Sequence, residues 1–209
     1  MAIQRSLDDS FQPGDLVFFA GRGLESRWIA LVTCTPWQWA QRTPFSHVGI
    51  CARDPHNRGR VLIFESTTLC DLPCAITGKK EKGVQAHFPS ERIRNYPGKV
   101  WRLAPTIHYA LKWQQGARLT DFLMSEIGKP YDYEGAMISA TNWLRLCEWM
   151  YPTLDKVFCS YLCMAALKYC EMVDKDLNPR AYSPARMARK LPYWGLYNPI
   201  GRGRSAKMH

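Results

Sequence analysis

The sequence predicts an α+β domain in which helices pack on one side of a mostly antiparallel sheet. Three observations lead there. Strand signals cluster in the first half of the chain and helix signals in the second, the order expected when hairpins build a sheet that helices then cover. The 209 residues suffice for one core that buries roughly two thirds of the unfolded surface without crosslinks. A composition of 46% apolar and 22% charged residues, with 8 Trp, 8 Phe and 10 Tyr spread along the chain, excludes extended disorder. No repeat, low-complexity tract or linker interrupts the pattern, so residues 1–209 read as a single domain with a basic, aromatic tail from about residue 193.

The strands are expected at Asp15 to Ala20, His47 to Ala52, Val61 to Glu65, Val84 to His87 and Val100 to Leu103. Each is a β-branched or aromatic run bounded by Gly, Pro, Asn or Asp. Leu111 to Ile127 has helical periodicity and stops at Gly128 and Pro130; Ala136 to Trp149 and Cys159 to Val173 follow as further helices. Ser183-Pro184 is an N-cap with proline at the first helical position, opening a short basic helix.

A formal charge of +10 makes an anionic partner plausible, whether a wall polymer, a phospholipid surface, a nucleic acid or an acidic protein. The charged amino terminus lacks the apolar core of a signal peptide, and no window resembles a membrane span, so a cytoplasmic location is expected unless another protein delivers the chain elsewhere. The eight cysteines are expected to be mostly reduced core residues.

Chemistry concentrates between Ser46 and Glu65. Asp54-Pro55-His56-Asn57-Arg58-Gly59 is a strong turn between two apolar runs, so the segment reads as a hairpin. A turn centred near His56 sets Ala52 opposite Arg60 and His47 opposite Glu65. Directly opposed residues share a face with Cβ atoms roughly 4.5 to 5.5 Å apart, near enough for a carboxylate to accept an imidazole N–H. A solvated polar pair at a sheet end is the other reading; against it, both residues border apolar runs.

An imidazole held by a carboxylate calls for a nucleophile, and a thiol is the usual partner. Cys51 lies roughly 13 Å along the strand from His47, beyond proton transfer. Cys159 begins a helical pattern, where free N–H groups and the helix dipole favour a thiolate. Cys163 and Cys170 return to the same helical face and are expected to pack beneath it. The CxxxC pairs Cys70/Cys74 and Cys159/Cys163 lack zinc-knuckle spacing. Gly21-Arg22-Gly23 and Gly201-Arg202-Gly203-Arg204 lack the spacing of a phosphate cradle and read as flexible basic turns. No metal or other cofactor is therefore expected. Two aromatic clusters, Trp28 with Trp37 and Trp39, and Trp143 with Trp149 and Tyr151, read as core or groove lining, the first alternatively as a lipid-contacting loop.

Gly14-Asp15-Leu16-Val17-Phe18-Phe19, Ser46-His47-Val48-Gly49-Ile50, Phe64-Glu65-Ser66, Gly128-Lys129-Pro130-Tyr131-Asp132-Tyr133 and Phe158-Cys159-Ser160 occur in this order. In that order the chain resembles the circularly permuted NlpC-like cysteine peptidases of the papain-like superfamily, over roughly residues 13 to 192. The resemblance implies a permuted papain-like fold with Cys159 as nucleophile, His47 as base and Glu65 as the orienting third member. It also implies that Tyr131 borders the nucleophile and, with Ser160 at the helix start, supports substrate or oxyanion. The implied activity is that of a thiol protease or amidase, acting through a thioester on a peptide amide such as a peptidoglycan stem. Relatives of lecithin retinol acyltransferase share the superfamily, so a lipid acyl esterase or acyltransferase on the same triad is an alternative. A non-catalytic basic binding or structural module is another, although no specific nucleic-acid motif supports it.

Overall fold

Apolar runs too long for one-sided strands form the centre of a sheet covered on both faces. A computed structural model describes residues 7–21, 45–140, 156–200 and 206–208. Six strands lie in one sheet: β1 (Leu16–Ala20), β2 (His47–Arg53), β3 (Val61–Thr67), β4 (Gly83–His87), β5 (Lys99–Leu103) and β6 (Ala206–Met208). Their order is β4-β3-β2-β1-β5-β6, with every neighbouring pair antiparallel. Five helices accompany them among the described residues: α1 (Pro89–Asn95), α2 (Trp113–Glu126), α3 (Tyr133–Ala140), α4 (Cys159–Tyr169) and α5 (Pro184–Tyr193). The α+β class with an antiparallel sheet packed against helices is thus the observed one.

One face of the sheet carries the larger core, where Leu16, Phe18, Val48, Ile50, Leu62 and Phe64 meet Leu119 and Leu123 of α2 and Leu162 and Cys163 of α4. The other face is not bare. Val17, Phe19, Cys51, Ile63 and Val100 pack there against Ile93 of α1, together with Tyr96 and Phe11. The one-sided layering expected from the sequence is therefore corrected: a short helix inserted between β4 and β5 covers the second face. Its entry follows ordinary rules, with Pro89 in the first turn, Glu91 beside the helix start and Arg92 and Arg94 in the last turn.

The β2–β3 register also departs from expectation. Ile50 pairs with Phe64, Cys51 with Ile63 and Arg53 with Val61, which continues to Gly49 opposite Glu65. The turn is centred one residue later because two side chains shape it: Asp54 Oδ1 accepts from the His56 N–H at 2.9 Å, and Asn57 Oδ1 accepts from the Gly59 N–H at 3.2 Å. A one-residue change in turn centre moves the pairing by two, so face is preserved and His47 becomes the diagonal neighbour of Glu65.

Helix α2 matches the expected element closely, and the Ser183 side chain caps α5 by accepting from the Arg186 N–H at 3.3 Å. Helix α4 ends at Tyr169, earlier than expected, and Glu171 takes a left-handed conformation just beyond it. The described part of the C-terminal segment is integrated into the domain. The buried Tyr197 hydroxyl donates to the Gly14 carbonyl at 2.8 Å, and β6 extends the sheet beside β5. No described helix is long and apolar enough to cross a membrane. The Trp28 to Gln41 stretch and Trp143, Trp149 and Tyr151 lie outside the described residues.

Candidate active site

His47 opens β2 and Glu65 stands near the end of the adjacent strand, so the sheet presents both at one edge of the hairpin. His47 Nε2 lies 2.6 Å from Glu65 Oε2. As a diagonal pair they can meet because imidazole and carboxylate side chains are long enough to span that offset. Gly49 helps by absence: a Cβ there would stand 3.4 Å from the Glu65 Cβ and only 2.7 Å from Ile63 Cγ2. The expected contact is present, although direct opposition is not the route to it.

Glu65 is wholly buried, and a carboxylate without water needs cationic or N–H partners. Arg92 of α1 supplies them, with Nε 2.5 Å from Oε1 and Nη2 donating to Oε2 at 3.2 Å. His87 Nε2 of β4 lies 3.7 Å from Oε1. Burial disfavours the Glu65 charge, but Arg92, followed by His47 and His87, holds its carboxyl well below the usual range. For His87 burial prevails and favours the neutral ring.

Cys159 is the first residue of α4, preceded by Phe158 in extended conformation. Leu162 is the first residue to return a helical hydrogen bond, to the Phe158 carbonyl at 3.0 Å, and no side chain caps the helix. The N–H groups of Cys159, Ser160 and Tyr161 are thus outside the helical ladder. The segment before Cys159 is fixed to the sheet by Ser66, whose hydroxyl donates to the Val157 carbonyl at 2.5 Å. Asp132 adds a second tie, its N–H donating to that same carbonyl at 3.1 Å.

These constraints set Cys159 near enough to His47 for the two side chains to interact electrostatically. Burial opposes charge on the imidazole, yet the Cys159 side chain, followed by Glu65, raises the His47 pKa to about 9. Since Glu65 can only accept, His47 Nε2 carries the proton of that bond, and Nδ1 is left for the nucleophile. Cys51 and Cys163 are different: burial pushes both thiols well above their ordinary range. Cys170 rises to about 11 for the same reason. The six described cysteines are free thiols, and Cys70 is exposed.

Tyr131 forms a parallel bridge to Val157, two residues before Cys159, and packs its ring 4.9 Å from that of Tyr133. Ser160 follows Cys159 in the first turn of α4. Its hydroxyl is fully buried and finds no hydrogen-bond partner, so only its backbone N–H remains available for oxyanion support. Among the described residues no group of three His, Cys, Asp or Glu could hold a metal ion.

Sequence reasoning missed Arg92, His87 and Ser66, and also the Asp132–Arg180 pair beside Tyr131, whose Oδ2 and Nη1 lie 3.0 Å apart. Arg92 was findable in principle, since Phe88-Pro89-Ser90-Glu91 is a recognisable helix entry. No local signal reveals that its guanidinium reaches across to β3.

No protein-family model matches the chain, and neither does any curated protein. Among solved structures, the chain is similar to the crystal structure of metalloprotein yiiX from Escherichia coli O157:H7, DUF1105. The match has 15% identity and a TM-score of 0.49, covering 95% of this chain and 96% of that one.

Proposed function

We propose that the chain is a cysteine hydrolase that cleaves an amide through a thioester intermediate, of the permuted NlpC-like kind. The observation that carries this reading is the buried, ionised Glu65 bonded to His47, with His47 in turn coupled to Cys159 at an uncapped helix start. Neither a solvated polar pair nor an ordinary core cysteine accounts for that continuity.

In the proposed reaction the Cys159 thiolate attacks the carbonyl carbon, forming a C–S bond and an oxyanion. N–H groups of the first turn of α4 stabilise the oxyanion. The His47 imidazolium donates its Nδ1 proton to the leaving nitrogen as the C–N bond breaks, giving an amine and a thioester. Neutral His47 then takes a proton from the water whose oxygen attacks the thioester carbon; the C–S bond breaks as the carboxylic acid departs, restoring the Cys159 thiolate beside the His47 imidazolium. Glu65 keeps the ring in the productive orientation throughout and stabilises its charged form.

A peptide amide is the proposed substrate, with a peptidoglycan stem as the specific case, on the motif resemblance to NlpC-like peptidases; the net charge of +10 is compatible with a wall polymer and with a phospholipid surface alike. A panel of muropeptides and acyl esters tests this. Cleavage of a peptide amide, abolished in Cys159→Ala, is expected. Hydrolysis of esters with no amide cleavage, abolished by the same substitution, would replace the amide with a lipid acyl group and keep the triad.

A further inference from the structure

We propose that Arg92 is a positioning residue that fixes the plane of the Glu65 carboxylate and so the direction in which His47 faces Cys159. This inference rests on the triad reading given above. Its basis is the shape of the contact. The guanidinium touches both Glu65 oxygens, through Nε to Oε1 at 2.5 Å and Nη2 to Oε2 at 3.2 Å, and Oε2 is the atom that holds His47 Nε2 at 2.6 Å. One oxygen is held by a hydrogen bond and the other by a close charge contact from the same planar group, so rotation as well as place is restricted, which a lysine ammonium does not do.

The fork is itself immobilised. Arg92 is 1% exposed, and its Cζ lies 5.2 Å from the Phe19 ring centroid and 5.3 Å from that of Tyr96. Phe19 also lies against the His47 ring, with centroids 5.3 Å apart, so one aromatic side chain supports both members that hold Glu65. A guanidinium serving stability alone is ordinarily left at the surface with its stem packed. Here a charge is taken fully out of water and spent on the carboxylate that orients the base.

The groups facing Glu65 are few. Among the described residues they are His47 from β2, His87 and the neutral Gln85 from β4, Arg92 from α1, and the buried Cys163 thiol from α4. Arg92 in turn faces Asp71, at 3.8 Å from Nη1, with the charges of Glu91 and Tyr96 near this cluster. Asp71 is 41% exposed and does not replace Glu65 as the counterion. Removing Arg92 therefore leaves His47 as the nearest cation to Glu65, free to rotate with it.

The test compares wild type, Arg92→Met, Arg92→Lys and Glu65→Gln by two measurements that need no substrate. The first is a carbon-13 NMR titration of Glu side-chain carboxyls, with the Glu65 signal assigned by its loss in Glu65→Gln. The second is the rate at which iodoacetamide modifies Cys159. In Arg92→Met, Glu65 should titrate about one pH unit or more higher than in wild type, from loss of the nearest opposite charge. Alkylation of Cys159 should slow about 10- to 100-fold, as for other supports of a reactive group.

Arg92→Lys retains charge without the fork, so it should hold the Glu65 titration near wild type while still slowing alkylation. If Arg92→Met does not fold, that separation in Arg92→Lys decides the matter. Wild-type alkylation in Arg92→Lys, or in a folded Arg92→Met, overturns the proposal. Failure of the triad reading looks different: wild-type Cys159 would then react no faster than the exposed Cys70 and would ignore Glu65→Gln.

Discussion

Replacing Glu65 by Gln keeps the shape of the side chain and should nevertheless damage both stability and chemistry, by separable routes. One carboxylate oxygen becomes an NH₂ group, yet both oxygens now face N–H groups: Oε2 accepts from His47 and Arg92, and Oε1 lies in ion-pair contact with Arg92 Nε. Whichever way the amide turns, a donor meets a donor. The formal charge lost matters more, because Arg92 is buried and its other carboxylate neighbour among the described residues, Asp71, is 3.8 Å away and partly solvated. Removing one partner from a buried ion pair costs about 3–5 kcal/mol. For a domain of this size each kcal/mol is worth roughly 2–4 °C, so Tm should fall by about 6–20 °C. Acylation should slow by about 10- to 10⁴-fold, since the imidazolium has lost its oriented anion.

Calorimetry and the Cys159 alkylation rate measure the two effects on one preparation. The double variant Glu65→Gln with Arg92→Met separates them. It removes the stranded charge, so its stability should exceed the sum of the single losses by about 1–3 kcal/mol, while its reactivity stays low. A Glu65→Gln protein with the wild-type Tm and wild-type alkylation rate would refute the reasoning at its root.

Acidity should act on the site from both sides. His47 is raised from 6.5 to about 9, so its stabilising contribution is complete below about pH 6.5 and is lost as pH rises through about 9. Glu65 is depressed, so its contribution is complete above the ordinary carboxylate range and is lost only as pH falls well below it. Turnover that needs the His47 imidazolium should therefore decline above about pH 9, and urea midpoints should fall over the same window in wild type but not in His47→Gln. Gly49→Ala should cost about 1–3 kcal/mol, because its Cβ would meet the Phe64 carbonyl at 3.1 Å as well as Ile63, and a sheet backbone cannot step aside; an unchanged denaturation midpoint would count against the register. Ser66→Ala should cost about 0.5–1.5 kcal/mol, since the Val157 carbonyl keeps the Asp132 N–H but loses its tie to the sheet, and should slow Cys159 alkylation with it. Equal alkylation rates would mean that this tie does not hold the nucleophile.

The five early strands were legible because their residues are apolar on both sides and punctuated by turn formers, and α4 because its pattern starts abruptly at Cys159. The pairing of His47 with Glu65 was legible as to face, since face survives a two-residue shift. Register was not, because it depended on which of Asp54 and Asn57 centred the turn. Arg92 and Ser66 escaped for a common reason. A charged residue on a short helix and a serine inside a strand ordinarily face water or pair locally, and only the fold brings them to Glu65 and to Val157. In the basic, aromatic tail no alternating apolar run announces β6; its pairing with β5 is a long-range contact that composition does not encode.

The central claim is that Cys159 accepts an acyl group with the help of His47, and the most direct measurement is intact and peptide mass spectrometry after exposure to a small acyl electrophile at neutral pH. The account predicts one stoichiometric adduct on Cys159, absent in Cys159→Ala and formed much more slowly in His47→Ala, with buried Cys51 and Cys163 unmodified in the folded protein. Adduct formation first at Cys70, or at Cys159 with no dependence on His47, would contradict it.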